Sequence, residues 1–405
     1  MILAFRVGVL ADSRTLLTAV LTAIPVLAAA CAPPAHAARP AAGSPVPTPI
    51  PSAELDCAQQ RLAALDEPRR VGQLLWIGLR DNQLGPEEQT AVRDQHAGSV
   101  WFTELSSAPL EQVRAVSAAV QALASAETTG GIQFLVAANQ EGGQIDQFHG
   151  AGFTAIPPAS EQGRLDPARL RGEAAGWGRE LRAAGINLEV APVMDTVPPG
   201  QDERNQPIGA LHRAFGGDTT TVSSHGVAFI QGMHDAGEPV TIKHFPGLGR
   251  VQGNTDFAAG VVDPETTADD PYLEPFAAGI AAGADLVMVS TATYSKIDPD
   301  HLAAFSPVVI HDLLRGRMAF SGVIAADDLG AAAEVAGIPA GRRAVDFVAA
   351  GGDLIDIKYA ALAAPMAEAM LARAGQDAGF RARVDDAALR VLRLKQRYGL
   401  LGRSC

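Results

Sequence analysis

The chain has 405 residues, a formal net charge of -13 and no basic run, which disfavours nucleic acid and anionic membrane surfaces as partners. Its length suits one large domain or two modest ones. Aromatic residues make up only 5% and Gly and Ala abound, a composition that fits closely spaced helices better than an all-β fold.

In chain order, Arg6 and Arg14 precede an apolar run from Leu16 to Ala30 that ends in small residues before Cys31. This is an export signal rather than a stable membrane span. Val26 to Cys31, VLAAAC, resembles a bacterial lipoprotein box, with its leucine one place displaced, and implies residues 1–31 as a signal whose Cys31 is lipidated. Cleavage after Ala35-His36-Ala37 is the alternative, giving a secreted protein. Residues 32–55 then form an extended tether, with seven prolines between 32 and 52. The expected location is outside the cytoplasm, at the membrane through the lipid anchor. Cys57 and Cys405 remain, one at each end of the expected folded part (residues 56–405), and an oxidising compartment favours a disulfide between them over two free thiols.

From about Asp56 onward helical and strand periods alternate. Asp166-Pro167 begins a helix, apolar residues recur at spacings of four and three from Leu170 to Ala184, and Gly185 stops it. The same junction, a helix ending in Gly before an apolar strand, recurs at Gly237, Gly283 and Gly351. Eight strands are expected near 73–79, 98–103, 133–138, 187–193, 240–244, 285–291, 321–326 and 352–358, with a closing helix over 386–398. Eight βα units in one domain predict an α/β fold, a single (β/α)8 TIM-type barrel; a doubly wound open sheet is the competitor.

Catalytic groups of such barrels sit at the C-terminal ends of the strands. Those positions hold Asn139 and Glu141, Asp195, Lys243 and His244, Ser290 and Thr291, and Asp327 and Asp328, with Arg213 nearby. No His/Cys/Glu cluster has metal-ligand spacing and no phosphate loop is present; Gly247-x-Gly249 lacks the third glycine at the right place. Neither metal nor cofactor is expected. Carboxylates beside hydrogen-bond donors suit a neutral polar substrate such as a sugar, and retaining glycoside hydrolysis needs two carboxyl groups.

Several stretches then share one order: Gln140-Glu141-Gly142-Gly143, Asn205-x-x-Ile208-Gly209 with Arg213-Ala214-Phe215-Gly216, Lys243-His244-Phe245-Pro246-Gly247, and Gly322-Val323-Ile324 leading to Asp327-Asp328-Leu329. Together they resemble glycoside hydrolase family 3 in its single-domain β-N-acetylhexosaminidase branch, over about residues 60–400. The resemblance implies a monomeric retaining enzyme that releases terminal β-linked GlcNAc from muropeptides or chitin-type oligosaccharides. It implies Asp327 as nucleophile, with Lys243, His244 and Arg213 holding the terminal sugar and Asn139 and Glu141 in the same site. The alternative for Asp327 is a turn-capping carboxylate, a part that Asp328 could also play; for Lys243 and His244 it is a buried ion pair at the rim. Two departures stand out. The family's acid/base histidine is missing: the loop ends Asn254-Thr255-Asp256, so Asp256 is the expected acid/base with Asn254 orienting it, against an ordinary turn. Asn139 stands where the family has aspartate, and Gln147 where it has arginine. A β-glucosidase-like hydrolase, a sugar-binding lipoprotein without hydrolysis and a phosphorylase are the rival functions.

Overall fold

The computed structural model describes residues 56–402. The chain divides into two units, residues 1–53 and 54–405, and every described residue lies in the second. The export signal with Cys31, the whole tether, and Cys405 lie outside the described residues.

All eight expected strands form: β1 (Leu75–Leu79), β2 (Ser99–Phe102), β3 (Leu135–Ala138), β4 (Leu188–Glu189), β5 (Thr241–Phe245), β6 (Leu286–Val289), β7 (Val323–Ala326) and β8 (Ile355–Ile357). Each is shorter than its apolar run except β5, which continues through Phe245. β4 is cut to two residues, and the chain that follows it reaches Pro192, which has no N–H to give a ladder. The strands pair in parallel in two sheets, β8-β1-β2-β3-β4 and β7-β6-β5. Parallel bridges Glu189↔Val240 and Val193↔Lys243 link the β4 and β5 edges, and Ala325↔Leu354 links β7 to the start of β8.

Parallel strands covered on both faces read as unbroken apolar runs, and the alternation decides which layer each residue joins. Trp76, Leu135, Ala137, Leu188, Leu286, Met288, Val323, Ala325 and Leu354 pack into one cluster with Val391 and Leu394 of the terminal helix. Their neighbours in sequence, such as Ile77, Val136, Val287, Ile324 and Ile355, pack in a second layer with the helices. The helix over Pro167–Ala183 starts where expected, its cap Asp166 accepting from Ala168 N and Arg169 N. The four junction glycines 185, 237, 283 and 351 take φ of 78, 75, 93 and 109°, which a side chain disfavours. The closing helix is longer than expected, Ala378–Arg397, because Asp377 caps it by accepting from Gly379 N and Phe380 N ahead of the first apolar spacing. Its Lys395 is buried and donates to Gln73 Oε1 and Gly98 O, tying the helix to the N-terminal ends of β1 and β2.

Candidate active site

The C-terminal ends of the strands surround a cavity of about 660 Å³. Lys243 and His244 both line it, although neighbours on a regular strand face opposite sides. The pairing of β5 with β6 explains this. Ile242 lies opposite Val287 and Phe245 opposite Val289, so three steps on β5 match two on β6. That extra residue is a bulge, which re-aims side chains. Lys243 and His244 therefore both sit inside the strand, which runs on through Phe245.

Glu141 is the hub of the positive groups. Arg213 donates to both its oxygens at 2.8 Å, and Lys243 Nζ lies 2.6 Å from Oε1. Burial alone would raise the Glu141 carboxyl, but the Arg213 and Lys243 charges beside it prevail and hold it at about 2. Lys243 also donates to Asn139 Oδ1 at 2.6 Å. Gln147 braces this corner: its Oε1 accepts from Asn139 N and its Nε2 donates to Phe102 O. His244 Nδ1 lies 2.8 Å from Asp195 Oδ2, and its Nε2 3.4 Å from Arg213 Nη2. An imidazole protonated at Nδ1 satisfies both contacts, donating to Asp195 and accepting from Arg213. The fully buried Asp195 also accepts from Leu248 N, fixing the turn after β5. Lys243 and Glu141 therefore do form a buried ion pair at the rim, and Lys243 and His244 still face the cavity.

The Asn205 motif has a mechanical part. Asn205 Nδ2 donates to Leu248 O and Val251 O while its Oδ1 accepts from Ile208 N and Gly209 N, joining the segment before Arg213 to the loop after β5. A Cβ on Gly249 would come within 1.8 Å of Thr196 O, so only glycine lets this loop settle. The loop then docks on the segment after β7 through Glu334 N to Thr255 O and Ala333 N to Asp256 O.

This docking brings Asp256 into the cavity with Asp327 and Asp328. Asn254 does not hold the Asp256 carboxyl; its Oδ1 accepts from Asp256 N at 2.9 Å, an Asx turn. Asp256 is open to solvent through the cavity, yet its carboxyl is walled by protein. Burial first, then the Asp327 and Asp328 charges, push it up to about 6, with Arg213 and His244 pulling the other way. The two acids after β7 are separated by their bonds. Asp328 Oδ1 accepts from Gly330 N, Ala331 N and Lys358 N, which makes it the turn cap. Asp327 Oδ1 accepts only from Asp328 N, and among the described residues its Oδ2 has no hydrogen-bond partner.

Ser290 and Thr291 do not line the cavity: both are fully buried, and Ser290 Oγ lies 3.0 Å from the Tyr294 hydroxyl, which donates to Gly247 O. Conversely, Trp101, Asp356 and the exposed Phe257, Leu105 and Tyr359 line the cavity and its mouth without having been singled out from sequence. The one readable signal was Asp356, an acid at an inward-facing step of an apolar strand. No cluster of three His, Cys, Asp or Glu among the described residues is placed to hold a metal ion.

Parallel strands, a carboxylate pair at their C-terminal ends and a buried Glu-Arg-Lys set define a carbohydrate-processing class of α/β protein. Residues 65–394 match the glycosyl hydrolase family 3 N-terminal domain, and the chain belongs to that family. It is 39% identical over 269 residues to a β-hexosaminidase of Xylella fastidiosa strain M12, covering 64% of this chain and 76% of the relative. A β-hexosaminidase of Stenotrophomonas maltophilia strain K279a is 36% identical, over 70% of this chain and 82% of its own. The crystal structure of a β-N-acetylhexosaminidase from Beutenbergia cavernae superposes with a TM-score of 0.81 at 47% identity, over 82% of this chain and 99% of that one.

Proposed function

We propose that the protein is an exo-acting β-N-acetylhexosaminidase that cleaves terminal β-linked GlcNAc with retention of configuration. The observation that carries this reading is the pairing, in one cavity, of Asp327 with a free Oδ2 and Asp256 with a carboxyl at about 6. Asp327 attacks the anomeric carbon as the glycosidic C–O bond breaks, and Asp256 gives its proton to the departing oxygen. Asp256, now a carboxylate, takes a proton from water, whose oxygen displaces Asp327 and frees the sugar. Arg213, Lys243, His244 and the Asn139 amide hold the sugar's polar groups, their positions set by Glu141 and Asp195. The similarity to β-hexosaminidases supports the choice of sugar.

The bridges at both sheet edges support closure of the eight strands into one (β/α)8 barrel. The exposed Phe257, Leu105 and Tyr359 at the mouth suit the apolar face of a further sugar ring, in line with muropeptides or chitin-type oligosaccharides as substrates. The N-terminal sequence supports export and anchoring through Cys31, and the disulfide of Cys57 is read as made with Cys405, since Leu401 packs in the cluster that Cys57 adjoins.

The test is turnover of 4-nitrophenyl β-GlcNAc and β-glucoside by the protein lacking residues 1–31. GlcNAc release with little glucoside cleavage, reduced at least about 1,000-fold in Asp327→Ala, is expected. Preferred cleavage of the glucoside would overturn the sugar assignment, and full activity in Asp327→Ala the nucleophile.

A further inference from the structure

Three buried polar groups of the cavity have no hydrogen-bond partner among the described residues: Asp356 Oδ1, Trp101 Nε1 and Trp76 Nε1. They are neighbours by register. Trp76 pairs with Asp356 across β1 and β8 and with Ser99 across β1 and β2, and Trp101 pairs with Gly78. Asp356 follows Leu354 by one alternation, so it faces the strand interior above the apolar cluster. It is 6% exposed. The Trp101 N–H lies near enough to favour the Asp356 anion but does not reach hydrogen-bonding geometry, which leaves Asp356 Oδ1 and Trp101 Nε1 without a partner among the described residues.

Native interiors rarely leave such atoms unpaired. Indole N–H groups only donate, and they disfavour a cation at this spot. The carboxylates Asp328, Asp327 and Asp256 disfavour an anion. A neutral hydroxyl fits, because it donates to a carboxyl oxygen and accepts from an indole in the same place.

We propose, resting on the glycosidase reading above, that Asp356 is a sugar-binding residue that determines specificity, its carboxyl and the Trp101 N–H together holding one hydroxyl of the terminal sugar at the cavity floor. Burial first, then the Asp328 and Asp327 charges, hold the Asp356 carboxyl well above the usual carboxylate range. An asparagine amide has the shape of a carboxyl and likewise offers an oxygen to the hydroxyl. Asn at this position therefore preserves binding, whereas Leu fills the space and binds nothing.

The experiment compares kcat and KM for 4-nitrophenyl β-GlcNAc and its 3-, 4- and 6-deoxy analogues. In the unaltered protein one analogue loses roughly 100-fold in kcat/KM, the signature of a site built around that hydroxyl. In Asp356→Leu that discrimination falls to about threefold, while Asp356→Asn keeps it within about threefold of the parent. Trp101→Phe, which removes only the indole donor from the pair, reduces the same ratio and no other, and carries the test if Asp356→Leu does not fold. Unchanged discrimination against all three analogues in both Asp356→Leu and Trp101→Phe overturns the proposal and leaves a structural carboxyl. If the unaltered protein turns over no glycoside, the hydrolase reading fails by itself. Calorimetry of GlcNAc and its deoxy forms with the same variants then decides on Asp356, and the absence of selective binding there overturns it too.

Discussion

At the scale of single residues, the site depends on charges whose environments push them apart. Glu141 is held ionised at about 2 by its two cations, and Asp256 is raised to about 6 by burial and two carboxylates. As general acid, Asp256 works while it carries its proton, so kcat/KM of the proposed enzyme falls as pH rises through about 6. A pH–rate profile checks this: the descending limb near pH 6 disappears in Asp256→Asn, whose residual rate is slowest for poor leaving groups. A limb that survives in this variant assigns the titration to another group. Asp327, Lys243 and His244 were legible in sequence because charge at the end of an apolar strand is conspicuous. Asn254 was expected to orient the Asp256 carboxyl and instead makes the turn: sequence shows that an Asx side chain precedes Asp256, not that it bonds the backbone instead of the carboxyl. Trp101 gave no signal, since an aromatic on a buried strand is ordinarily core.

At the scale of elements, strands were found because both their faces are buried, and helix ends because Asp166 and the junction glycines have conformations few other residues take. The bulge in β5 could not be read, because it exists only relative to the register of β6. Yet that bulge puts Lys243 and His244 on one side. The loop after it relies on Gly249, and a pair of glycine substitutions separates packing from backbone freedom. Gly172, within the helix Pro167–Ala183, has nothing within 4 Å of an added Cβ, and Gly172→Ala is expected to stabilise by about 1 kcal/mol. Gly249→Ala drives a methyl into Thr196 O and must shift the loop that carries Asp256, lowering kcat/KM by at least about tenfold. Urea unfolding and steady-state kinetics on both variants check this. A fully active Gly249→Ala protein would show that the loop position is not needed.

At the scale of the molecule, the strands' alternation sorts residues into an inner cluster sealed by the terminal helix and an outer layer under the other helices. That division leaves the opposite ends of the strands free to hold polar groups, which is why the chemistry gathers on one rim. The order and number of the strands were legible; how their edges meet was not, since it rests on single bridges next to proline-interrupted runs. The central claim is that Asp327 forms a covalent bond to the sugar. The most direct measurement is mass spectrometry of the protein after reaction with a 5-fluoro GlcNAc-type glycosyl fluoride, which slows release of the intermediate. The account predicts one added glycosyl unit per chain, on the peptide bearing Asp327, and none in Asp327→Ala. Turnover with no adduct, or an adduct on another residue, would contradict it and point to attack by the substrate's own acetamido group or by a different carboxylate.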